Sequence, residues 1–174
     1  MLNLKAELKM SLLQLRQAIN LEKQTWINRY TTNCYAYALG LDVPQNDIID
    51  KAYIPGTMSG TGIKLDDNYI FTYNDLITNI YGDLDFLGIS FREVSISEQL
   101  NEEEWKIAIF TSKCADYIED IHFLRLRKDG FWYHKNGWIF NPSPFDDDEK
   151  IIMNPQTCSL CNKDFHQCLS LRLK

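Results

Sequence analysis

Beyond residue 90 the chain is cut into short apolar runs by glycine turns, and that punctuation limits the possible folds more than any other feature. The runs 91–96, 106–111, 121–127, 131–135, 138–141, 150–153 and 169–173 are rich in aromatic and branched residues, the composition of strands. Lys128, Asp129 and Gly130 separate two of them, and Lys135, Asn136 and Gly137 separate two more; both are hairpin signals. The first half reads differently. Leu4, Leu8, Leu12, Leu15 and Ile19 recur at helical spacing behind Asn3, which predicts an amphipathic helix over 4–22. A short helix over 34–39 is expected to end at Gly40, and Asn74 is a candidate cap for a helix over 75–81. Between them, 41–68 is loop-like, with Pro44, Pro55, Gly56, Gly60 and Gly62. Helices followed by a meander of antiparallel strands give the α+β class.

At 174 residues and 45% hydrophobic, the chain is expected to form one domain, with 1–29 a helical extension and 30–174 the core. Its formal charge of −6 argues against nucleic acid or an anionic membrane as the main partner. The acidic run Asp146, Asp147, Asp148 and Glu149 lacks the spacing and turn glycine of a calcium loop and reads as a solvated segment. No stretch reads as a membrane span, and the charges at Lys5, Glu7 and Lys9 interrupt what a signal peptide would need. The expectation is a cytoplasmic protein, or one delivered outside without an N-terminal signal. Five scattered cysteines do not suggest a disulfide framework.

The chemistry-bearing residues are few. Cys34 opens the predicted helix 34–39, behind Asn33. The histidines are His122, His134 and His166. If the turn at 128–130 has three residues with Gly130 left-handed, Leu124 pairs with His134, and His122 and His134 are diagonal neighbours on one face, roughly 7–8 Å apart at Cβ. A two-residue turn would put them on opposite faces. A cysteine beside an imidazole that is itself oriented by a polar group makes a nucleophile. The competing reading makes Cys34 a buried small residue.

The stretches "NCYAYALG" and "HFLRLRKDGFWYH" together resemble the NlpC/P60-like branch of the papain-like cysteine peptidases, over roughly residues 30–141. The family's cysteine opens a helix after a short polar residue, usually aspartate, where this chain has Asn33. Its histidine opens a strand, and a second polar residue follows about a dozen positions on; His122 and His134 hold those places. The resemblance implies a papain-like α+β fold, N-terminal helices packed on an antiparallel sheet, and no metal or organic cofactor. It implies Cys34 as nucleophile, His122 as base, His134 as its orienter, and the Cys34 backbone N–H with Asn33 as oxyanion donors. A second assignment makes His134 the base and Asn141 the third residue, through a two-residue hairpin at Asn136 and Gly137. The implied activity is a peptidase or amidase acting on a peptide or protein through a Cys34 thioester. Acyl transfer or glutamine deamidation by a bacterial effector or phage protein uses the same residues. A non-catalytic interaction module with a structural Cys34 is the alternative from another class.

Cys158, Cys161, His166 and Cys168 form a further candidate set. Cys158 and Cys161 have zinc-ligand spacing, whereas one residue between His166 and Cys168 fits no standard zinc motif, and free thiols are the expected account.

Overall fold

The computed structural model describes residues 33–41, 54–61, 72–114, 117–137, 140–160 and 162–174. The expected helix 4–22 and most of the loop 41–68 lie outside these residues.

Helix α1 is Cys34–Leu39, capped by Asn33 and closed by Gly40 at φ 75°. Glycine suits that left-handed position because it has no Cβ to clash. Helix α2 is Tyr73–Phe86, longer than expected and started by a different residue. Thr72 is the cap: its hydroxyl accepts from the Asp75 N–H at 3.3 Å, and Asp75 Oδ2 accepts from the Thr72 N–H at 2.9 Å. This reciprocal box satisfies two N-terminal donors, so Asn74 falls inside the helix.

Five strands follow: β1 Ile89–Val94, β2 Trp105–Cys114, β3 Tyr117–Leu126, β4 Trp132–His134 and β5 Asp164–Leu173. They form one sheet in the order β1-β5-β2-β3-β4, with every neighbouring pair antiparallel. The architecture is α+β, as expected, but the sheet is not a simple meander. The last strand inserts between β1 and β2, burying Cys168, Leu169, Ser170 and Leu171 in succession, the pattern of a strand covered on both faces. One expected strand is missing, and half of another, 138–139, lies outside the described residues. Residues 150–153 contribute only the bridge between Phe145 and Ile151. Phe140 and Asn141 belong to no strand.

The sheet separates two apolar clusters. Ile89, Ile107, Ile109, Phe123, Leu169 and Leu171 pack with Tyr35, Leu39, Leu76, Ile80 and Leu84 of the helices. On the other face Ala108, Phe110, Leu124, Trp132 and Cys168 pack with Ile152 and Leu160 from the 140–160 segment. Side chains alternate across a strand, so β3 sends Phe123 to the helix face and Leu124 to the other. None of the described helices is long and apolar enough to cross a membrane.

Candidate active site

The β3–β4 turn decides where the histidines go. Gly130 has φ 85°, the Gly130 N–H donates to the Arg127 carbonyl at 3.0 Å, and the Arg127 N–H donates to the Phe131 carbonyl at 3.0 Å. The turn therefore has three residues. Leu126 pairs with Trp132, Arg125 with Tyr133 and Leu124 with His134. Of the two registers the sequence left open, this one places His122 and His134 on the same face.

The two imidazoles meet there, with His122 Nε2 2.9 Å from His134 Nδ1 and the rings nearly perpendicular at 83°. His134 Nε2 lies 2.7 Å from the Phe145 carbonyl oxygen, and that contact places one proton. A carbonyl can only accept, so His134 carries its proton on Nε2. With that proton on Nε2, His134 can accept at Nδ1 from a His122 Nε2–H, an arrangement that leaves the His122 lone pair on Nδ1. Burial holds His122 down at about 3, with the neighbouring His134 and Lys163 acting in the same direction and Asp120 against it. His122 is thus neutral at physiological pH and presents a basic Nδ1.

The second assignment, with Asn141 orienting His134, is not the arrangement formed. It needed His134 to pair with Ile139. Instead His134 exchanges both backbone hydrogen bonds with Ser143, at 3.0 and 2.8 Å. Pro142 and Pro144 have no N–H to offer, so Ser143 is the residue of that triplet able to make such a pair. Asn141 lies exposed, and the group that orients His134 is the Phe145 carbonyl.

Cys34 is half-buried at the start of α1. Asn33 caps the helix, its Oδ1 accepting from the Ala36 N–H at 2.9 Å. Its amide oxygen is therefore committed to the cap. The Cys34 thiol donates to the Ile121 carbonyl at 3.9 Å. Burial pushes the thiol up to about 11, and Asp120 adds to this, while the backbone N–H groups of Phe123, Tyr35 and Cys34 favour the anion. Cys34 packs against the helix-side cluster with Ile121 and Phe123, whereas His122 points to the opposite face. The structure thus brings His122 and His134 together and sets the thiol against the strand residue next to His122. No hydrogen bond joins the thiol to either ring.

Two residues near the site were not singled out from the sequence. Asp83 is fully buried and accepts from the Gly56 N–H at 2.7 Å, the Ser59 N–H and hydroxyl at 2.8 Å each, and the Tyr35 hydroxyl at 3.1 Å. It ties the 54–61 turn to the residue following Cys34. Burial and the Asp83 charge hold the Tyr35 phenol well above its ordinary range. The available signal was an aspartate inside the apolar stripe of Leu76, Ile80 and Leu84. Lys135 is also fully buried, and its Nζ donates to the Gly137 carbonyl at 2.9 Å.

The zinc candidates do not converge. Cys158 donates to the Pro155 carbonyl at 3.2 Å. His166 contacts Thr111 through Nε2 and stacks on Tyr73 at 4.4 Å, on the α2 side. Cys168 packs in the cluster on the opposite face. A bulge between Ile109 and Phe110 in the β2–β5 pairing skips His166, which is how two residues of the same parity in β5 come to face differently. Cys161 lies outside the described residues. Among the described residues no three His, Cys, Asp or Glu side chains gather as metal ligands do.

The chain matches no protein-family model, no curated protein and no solved structure at the level that marks a relationship.

Proposed function

We propose that the protein is a papain-like, cysteine-dependent hydrolase that cleaves an amide bond of a peptide or protein, with Cys34 as nucleophile and the His122–His134 pair as its base unit. The observation that carries this reading is the imidazole pair itself. Its ring nitrogens are 2.9 Å apart, the Phe145 carbonyl orients His134, and His122 directly follows the residue whose carbonyl accepts from the thiol. A base oriented by a second polar group is the element that turns a thiol into a nucleophile.

The steps follow from these atoms. The thiol proton passes to His122 Nδ1 as sulfur attacks the carbonyl carbon of the substrate. The positive charge that forms on His122 is shared with His134 through their hydrogen bond. The Cys34 N–H, in the first turn of α1 and without a helical acceptor, donates to the developing oxyanion. Collapse breaks the carbon–nitrogen bond, and the amine leaves with the proton from His122. Water then attacks the thioester, returning the thiol and releasing the acid. With the thiol pushed up to about 11 and His122 held at about 3, the resting pair is neutral. Proton transfer must therefore accompany attack, after the thiol leaves the Ile121 carbonyl.

A second reading has one specific observation behind it. The described thiols Cys34, Cys158 and Cys168 are all raised, to about 11, 11 and 12, so resting acidity does not mark Cys34 out. In that reading Cys34 is a packing residue of an interaction module. The test is labelling of the whole protein by a peptide vinyl sulfone, located by mass spectrometry. The hydrolase reading expects a single adduct on Cys34, lost in Cys34→Ala and in His122→Ala. Labelling of Cys34 no faster than of Cys158 and Cys168 in the folded protein would favour the module.

A further inference from the structure

The acidic run 146–149 is not solvated throughout. Asp147, Asp148 and Glu149 are exposed, but Asp146 is buried, and nothing in the steps above uses it. Its carboxylate accepts three backbone N–H groups. Oδ1 takes those of Asp148 at 3.1 Å and Lys150 at 2.9 Å, and Oδ2 takes that of Ser159 at 3.0 Å. The first two close a tight turn in which Glu149 has φ 60°, a left-handed conformation that is costly for a residue with a Cβ. The third ties that turn to the segment before β5, alongside the Asp147 N–H, which donates to the Ser159 carbonyl at 2.9 Å. The Ser159 N–H leads in holding the Asp146 carboxyl below its ordinary range, and the N–H groups of Lys150 and Asp148 add to it, while burial acts against them.

The turn begins on the peptide group that orients the imidazole pair. The Phe145 carbonyl lies 2.7 Å from His134 Nε2. The N–H of the same peptide group, that of Asp146, donates to the Lys150 carbonyl at 2.9 Å. A trans peptide is planar, with its C=O and N–H pointing opposite ways, so holding the N–H aims the carbonyl. The Phe145 side chain is 47% exposed, so its own packing does little to set that plane. We propose that Asp146 is a positioning residue of the imidazole pair: by closing the 146–150 turn and anchoring it to Ser159, its carboxylate keeps the Phe145 carbonyl on His134 Nε2. Each link is a hydrogen bond. Asp146 holds the Ser159 and Lys150 N–H groups, the Lys150 carbonyl holds the 145–146 peptide group, and the Phe145 carbonyl holds His134, which lies 2.9 Å from His122 Nε2. Asp146 acts through His134 and moves no proton itself. The use made of the oriented pair rests on the hydrolase reading; the orientation does not.

The experiment is nitrogen NMR of the imidazole rings in the full-length protein, comparing wild type, Asp146→Ala and Asp148→Asn. The last removes a charge from the same turn at an exposed carboxylate and serves as the control. Wild type is expected to show His134 protonated at Nε2, with that N–H protected from exchange with water. In Asp146→Ala the exchange becomes about tenfold faster or more, as when a local opening has one hydrogen bond less to break. The backbone amides of β2 and β5 keep their protection, and Asp148→Asn keeps the wild-type ring signals. An unchanged His134 ring N–H in Asp146→Ala overturns the proposal. So does a loss of protection shared equally by β2 and β5, which is general destabilisation, or by Asp148→Asn, which is an effect of charge. Where Asp146→Ala does not fold, Asp146→Asn decides in the same way: it keeps the shape but offers the three N–H groups a single oxygen, and the same faster exchange is expected. Labelling of Cys34 by the peptide vinyl sulfone, followed alongside, is expected to slow in Asp146→Ala and not in Asp148→Asn. The two readings fail separately. A loosened His134 N–H in a protein that ignores the vinyl sulfone sinks the hydrolase alone, and an unchanged His134 N–H sinks this proposal whatever the probe does.

Discussion

His122 should make the protein acid-labile in a way that one substitution removes. An ordinary histidine titrates near 6.5, and burial holds His122 in the folded chain at about 3. Below about pH 6.5 the unfolded chain binds a proton that the folded chain refuses. The stability contributed by the neutral ring is therefore complete above about 6.5 and is lost as pH falls towards 3. At about pH 4 the difference amounts to roughly 2.5 pH units at 1.36 kcal/mol each, or about 3 kcal/mol. That is a large part of the 5–15 kcal/mol typical of a whole domain. Carboxylates also titrate in this range, so the quantity to read is a difference. Urea unfolding of wild type and His122→Gln is measured at about pH 7 and about pH 4, where glutamine keeps a polar end but cannot take the proton. The wild type is expected to lose about 3 kcal/mol more than the variant over this interval. Because the rings are coupled, the loss belongs to the His122–His134 pair rather than to one ring. Equal acid sensitivity in the two proteins would refute the buried neutral imidazole on which the base assignment depends.

Substitutions at three further positions probe what holds the site in place. Asp83→Ala strands the Gly56 and Ser59 N–H groups and the Tyr35 hydroxyl, and is expected to cost about 3 kcal/mol in urea unfolding, with faster proteolysis within 54–61. Asn33→Ala removes the acceptor of the Ala36 N–H and should cost about 1 kcal/mol, while Asn33→Asp should be close to neutral; equal losses would show that capping is not its role. Gly130→Ala meets no atom within 4 Å, so its cost is the left-handed backbone alone, about 1 kcal/mol by thermal melting.

The parts of the site that the sequence made legible are those fixed by local geometry. A turn needing a left-handed residue, with Gly130 available, closes β3 onto β4 within a few residues, and strand alternation then carries His122 and His134 to one face. Cys34 at the head of a short helix was legible for the same reason, since Asn33 and Gly40 bound that helix at both ends. Contacts across long sequence separations were not. The thiol and the Ile121 carbonyl are 87 residues apart, and a backbone carbonyl carries no signature in residue type. The Phe145 carbonyl that orients His134 was hidden likewise, and Asn141, a side chain with the right chemistry, stood out in its place. The insertion of β5 between β1 and β2 also depends on partners far apart in sequence, which turn signals cannot specify.

Strand alternation places Ile121 and Phe123 on the helix face and His122 on the other. The same alternation divides the chemistry of the site. The imidazole pair lies on one face of the sheet, and the thiol packs with the cluster on the other. What they share is the backbone of residues 121–123: it carries the His122 side chain, offers the Ile121 carbonyl to the thiol, and turns the Phe123 N–H towards sulfur. In the hydrolase reading, a proton moving from sulfur to His122 Nδ1 passes this edge, beyond the last paired residue of β4. β4 has three residues against ten in β3, so its pairing stops at Leu124; in the hydrolase reading that short strand is what leaves the edge at 121–123 open to both groups. In that reading, an extension of β4 pairing beyond His134 would cover the edge and abolish activity.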